Sequence, residues 1–113
     1  MLDEVIEDIK NLRRVYSRII LESLEGSSDY EIEDTIRLVG HLQASYDHLL
    51  ASKAKGDDTF YCVIGKHLPA CIILMGEIGT DTGPIYTILS KLTNGKIKPC
   101  QACKEDKDKS ENT

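Results

Sequence analysis

The sequence predicts an all-α fold: a long antiparallel helical hairpin, covered by a proline-kinked third helix and a short fourth. Two repeating stripes carry the prediction. Leu2, Val5, Ile9, Leu12, Tyr16 and Ile19 recur at alternating spacings of three and four, and Ile32, Thr35, Val39, Leu42, Tyr46 and Leu49 do the same beyond Gly26-Ser27-Ser28. Such spacing gathers each set on one side of a helix, and the short turn between them brings the two stripes face to face. The third observation is a pair of prolines. Pro69 interrupts one apolar segment and Pro84 opens another.

The first helix is expected over about 2–25. Gly26 stops it, because glycine takes the left-handed closing conformation without a side-chain penalty. Ser28 and Glu31 then form a capping-box pattern, in which a small hydroxyl precedes a carboxylate by three residues. Asp29, Glu31, Glu33 and Asp34 place negative charge at the positive end of the second helix, while Lys53 and Lys55 lie near its other end, before Gly56. In the hairpin, Arg14 and Arg18 are expected to face that acidic start, orienting the pair with bonds each worth under about 1 kcal/mol.

Both stripes are wider than a two-helix seam. Ile6, Ile20, Ile36 and Leu50 repeat at the neighbouring heptad position, with Val15 and Leu38 on the other flank. A two-stranded seam uses two positions in seven, so the surplus width calls for further helices from this chain or from a second copy.

The third region holds two apolar runs, Thr59 to Ile64 and Ala70 to Met75. Periodicity alone does not separate a buried strand from a buried helix here. Asp57-Asp58-Thr59 offers an N-cap, which favours a helix kinked or broken near His67 and Leu68 by Pro69. The competing reading is an α+β fold with a β-hairpin at about 60–75. After Gly79-Thr80-Asp81-Thr82-Gly83, Pro84 suits a first helical position, and Ile85, Ile88, Leu89 and Leu92 share one face before Asn94-Gly95. Residues 1–95 form the expected helical domain. Residues 96–113 form a Cys-x-x-Cys segment and a charged tail without apolar residues after Cys103, expected to be disordered.

The chain has 113 residues, enough for one domain with one modest core, and that core must be mostly Ile, Leu and Val, since aromatic residues make up only 5%. A net charge of −5 argues against general nucleic-acid binding, which needs a basic face. The acidic, amphipathic start does not resemble a secretory leader, and the apolar stretch Leu68 to Met75 is far short of the ~20 residues that cross a bilayer. These features predict a cytoplasmic protein without membrane contact, whose four cysteines are thiols or metal ligands.

The sharpest local motif is Cys100-Gln101-Ala102-Cys103, half of many zinc sites. Cys62 and Cys71, with His67, are the available partners for a four-ligand zinc site, although buried free cysteines are commonly plain core residues. No other cofactor is expected. His41 and His48 share a polar stripe with Asp34, Arg37 and Ser45, but stand two turns apart, roughly 10 Å at 1.5 Å per residue, too far to clamp one ion. That stripe reads as a solvated face. No strained nucleophile turn accompanies it, so catalysis is not expected.

Lys10, Arg13, Arg14 and Arg18 cluster on the first helix. Arg14, Arg18 and Arg37 are the candidate ligands for a small nucleotide-like anion held between copies of the chain. Asp3, Glu4, Glu7 and Asp8, with Glu31, Glu33 and Asp34, are a weaker candidate for a divalent-metal site, because the hairpin puts the two groups at opposite ends. The sequence thus predicts a non-catalytic interaction or regulatory protein that self-associates through its heptad faces and binds a protein partner. The alternatives are an anion-sequestering oligomer and a zinc-stabilised adaptor.

Overall fold

The computed structural model describes residues 2–26, 32–56 and 60–96. Four α-helices form: α1 (Leu2–Leu24), α2 (Ile32–Lys55), α3 (Leu68–Ile78) and α4 (Gly83–Leu92), with a π-helical turn at Val63–His67 running directly into α3. There is no strand among the described residues. The capping box at Ser28, the N-cap around Asp57 and the segment beyond 96 lie outside them.

The helical hairpin of α1 and α2 is the spine. Gly26 closes the first helix with φ +77°, and its N–H bonds to the Ser23 carbonyl at 2.9 Å. The heptad stripes meet through Val5, Ile9 and Tyr16 of α1 and Thr35, Leu42 and Leu49 of α2, all buried, but on α2 the flank residue Leu38 is fully buried while Val39 and Tyr46 of the stripe are half-buried. Each fully buried Leu or Ile contributes about 1.5–3 kcal/mol relative to exposure. Among the described residues Arg13 ties α1 to α2, donating to Gln43 Oε1 at 2.5 Å and lying over the Tyr46 ring, while Asp29 and Glu31 of the acidic start expected to face Arg14 and Arg18 lie outside them. Lys53 pairs with Asp3 at the open end of the hairpin.

The third region is helical, and the β-hairpin reading of 60–75 is incorrect. Val63, His67, Cys71 and Met75 are buried at a constant spacing of four, whereas Tyr61 and Ile73 stay exposed. In a strand all these odd-numbered residues would share one face, so the exposure of Tyr61 and Ile73 beside the buried four fits a helix and not a strand. Pro69 has no N–H to give the carbonyl four residues back, and its ring would press on that carbonyl. The chain absorbs this with the π-turn, in which Leu68 N–H bonds to the Val63 carbonyl five residues earlier.

α2 lies between α1 on one side and the π-turn with α3 on the other, while α4 packs against α1 and α3. Ile85, Ile88, Leu89 and Leu92 fill the space under α4, which starts with Pro84 in its first turn. Lys91 fixes α4 to α1 through Glu4 at 2.5 Å and Asp8 at 3.0 Å. At the other end of α4, Tyr16 donates to Thr80 Oγ1 at 3.0 Å, tying α1 to the turn after α3. No helix among the described residues is long and apolar enough to cross a membrane.

Candidate functional site

All three histidines of the chain converge on one place. His41 and His48 stand seven positions apart on α2, so both point to the side of that helix where the π-turn docks. The π-turn supplies His67, which is 9% exposed and sits between them. His41 Nδ1 and His67 Nδ1 are 3.0 Å apart, with ring centroids at 5.3 Å and planes tilted by 47°. His48 stacks on the other side of His67, centroid to centroid 5.4 Å and 27° from parallel. The stripe read as solvated is therefore partly covered.

Two Nδ1 atoms at 3.0 Å form a hydrogen bond when one carries hydrogen and the other a lone pair. Burial pushes the His67 imidazole below its ordinary pKa, and the charges of His41, His48 and Lys66 push the same way. Both effects favour the neutral form of the His67 ring. Ser45, on α2 between the two histidines, is fully buried, and its Oγ has no hydrogen-bond partner among the described residues.

The carboxylates near the start of the chain act as anchors. Glu4 and Asp8 hold Lys91, and Asp3 holds Lys53. Those bonds keep the Asp3 and Glu4 carboxyls below, and the Lys91 ammonium above, their ordinary pKa values.

Of the basic candidates, Arg14 and Arg18 line a single groove of about 290 Å³ on α1, with Val15, Ile19 and Glu22. Arg37 is apart from them, paired on its own helix with Glu33 at 2.7 Å and Asp34 at 3.8 Å. Of the cysteines, Cys62 is exposed, while Cys71 is wholly buried and its thiol is pushed up to about 12 by that burial. Cys100 and Cys103 lie outside the described residues. Among the described residues no group of three or more His, Cys, Asp or Glu side chains could hold a metal ion.

A second feature is the uncovered part of the heptad stripes. Of the surplus row, Ile6 is buried and Ile20 half-buried, but Ile36 is 53% and Leu50 40% exposed. Val15, Leu21 and Leu24 of α1 are more exposed still, reaching 68% at Leu24. Leu38 on the opposite flank is fully buried, so the surplus was only partly consumed within the chain.

No protein-family model matches the chain, and neither does any curated protein or solved structure compared with it. Sequence reasoning missed the His41–His67 pair because His67 was weighed only as a partner for cysteines. The available signal was its place on the every-fourth-residue row that packs the third helix inward.

Proposed function

We propose that this chain is a non-catalytic intracellular interaction protein that works as a self-associated helical bundle, a second copy covering the hairpin's exposed apolar residues. The observation that carries the reading is the surplus heptad row: Ile36 and Leu50 remain open although they continue the same pattern that builds the core. Charge supports a second copy as the occupant. The middle of α1 bears Lys10, Arg13, Arg14 and Arg18, and α2 begins with Glu33 and Asp34. Each copy thus carries both signs, and a two-fold contact sets the basic row of one against the acidic turn of the other. A further protein partner would dock on the assembled bundle.

The test is sedimentation of the unmodified protein beside an Ile36→Lys, Leu50→Lys double variant. Both side chains are exposed within one copy, so the variant should keep its helical content and lose the assembled species. A monodisperse monomer of the unmodified protein at tens of micromolar removes the proposal.

One observation favours a second reading, a bundle that holds a small anion: Arg14 and Arg18 line the same groove. Stabilisation by phosphates or nucleotides, lost on changing both arginines to Gln, would support it, since each charge-assisted bond contributes about 1.5–3 kcal/mol.

A further inference from the structure

The three histidines occupy the joint between the π-turn and α2, and the self-association reading uses none of them. His67 of the π-turn is buried between His41, its hydrogen-bond partner at 3.0 Å, and His48, stacked at 5.4 Å between centroids. None of the charges nearby offers an added proton a partner. Lys66, beside His67 on the turn, is a cation. On α2, Arg37 one turn before His41 bonds to Glu33 and Asp34, and Asp47 accepts from Gln43. α3 also packs against the turn. It brings the buried Cys71 thiol, which stays neutral, and Glu77, ten positions along the chain from His67. Among the described residues no carboxylate is paired with any of the three rings.

One added proton leaves the His41–His67 bond standing, because a charged ring still donates to a neutral one. A proton on each removes the acceptor and sets two cations side by side, away from water. Moving the turn off α2 relieves both faults. We propose that the cluster is a pH-sensitive latch, which holds the π-turn and the start of α3 on α2 at neutral pH and releases them in mild acid while the α1–α2 hairpin stays closed. Release is local because the other ties outlast it. Asp3–Lys53 joins the open end of the hairpin and Glu4–Lys91 joins α1 to α4. Both carboxyls are held below their ordinary values of 3.8 and 4.5, so they keep their charge where imidazoles gain theirs. The buried hairpin residues Val5, Ile9, Tyr16, Leu42 and Leu49 include no carboxylate or imidazole. Release bares Val63, Leu68, Cys71 and Met75, all buried at neutral pH, and the part of α2 they cover.

Hydrogen exchange of the full chain, read by mass spectrometry at about pH 7.5 and about pH 5.5 with intrinsic rates corrected for pH, tests the latch. Opening that brings one proton onto His67 grows as pH falls below 6.5, by up to about tenfold over that interval. Protection across 63–75 should fall by that factor, while amides of α1 from Ile9 to Tyr16 should change by less than about twofold. His67→Gln keeps a neutral hydrogen-bonding side chain and should abolish the pH dependence at 63–75. If that variant does not fold, the ring protons of the unmodified chain decide by NMR titration. His67 should then gain its proton only over the range in which 63–75 lose protection. Unchanged protection of 63–75 in acid, an equal loss along α1, an undiminished pH dependence in His67→Gln, or a His67 ring that titrates while the segment stays protected overturns the proposal.

Discussion

His41 and His67 share a hydrogen bond between Nδ1 atoms at 3.0 Å, and this contact joins the π-turn to α2. A bond of this kind needs one hydrogen between the two nitrogens. A proton on each leaves no acceptor and sets two like charges side by side.

Acid should therefore loosen the fold well above the carboxylate range. Burial, then His41, His48 and Lys66, hold His67 below its ordinary pKa of 6.5. A group whose folded pKa is lowered gives stability that is complete above its unfolded pKa and is lost as pH falls through 6.5 toward the folded value. Asp3 and Glu4 act lower down, since their folded values lie below 3.8 and 4.5. Between about pH 6.5 and 5 the slope thus reports on His67. Urea midpoints measured with a chelator present should fall across that window, and His67→Gln should flatten the fall.

Glycine substitutions should act in opposite directions at two positions. Gly79 ends α3 with φ +78°, where an L side chain is strained, so Gly79→Ala should lose about 1–2 kcal/mol. Gly40 sits inside α2, exposed, with nothing within 4 Å of an added Cβ. Gly40→Ala should gain about 0.5–1 kcal/mol by restricting the unfolded chain and favouring the helix. Thermal or urea unfolding reads both, and a gain at Gly79 would show that its left-handed conformation is not required.

Much of this fold is legible locally. Heptad spacing placed the buried faces of α1 and α2, Gly26 marked the first stop, and Pro84 marked the start of α4. Each is a rule about neighbours within a few residues. The π-turn was legible only as a disturbance at Pro69, because the sequence does not say whether a chain kinks, breaks or widens there. The histidine pair was harder. His41 and His67 meet only after α2 and the third helix pack, and a row of buried residues that includes a histidine looks the same whether that ring ends beside a leucine or another imidazole. The surplus row was legible as a surplus, but Ile6 and Leu38 were buried by this chain's own helices and Ile36 was not. That division depends on where α3 and α4 land.

Ser45 offers a test of the packing between the histidines. Its Oγ is buried without a partner among the described residues, and an unsatisfied buried polar group costs about 1–3 kcal/mol. Ser45→Ala removes that cost and favours the helix, so stability should rise by about 1 kcal/mol. Leu42→Ala, one turn earlier on the same helix and fully buried, should instead lose about 2–5 kcal/mol by leaving a cavity. Equal losses at the two positions would mean that the Ser45 hydroxyl holds a bond that matters.

The thiols should fall into two kinetic classes. In a full chain carrying Cys100→Ser and Cys103→Ser, Cys62 is exposed and should react with a chromogenic disulfide at the rate of an ordinary surface thiol. Cys71 is protected twice. Its sulfur is out of solvent, and its pKa of about 12 leaves almost no thiolate near pH 8. One thiol per chain should therefore react promptly, and the second only as the helix bearing it opens, accelerating with urea in step with unfolding. Two prompt thiols would show that α3 does not stay packed against α2, and the His41–His67 contact would then have no stable support.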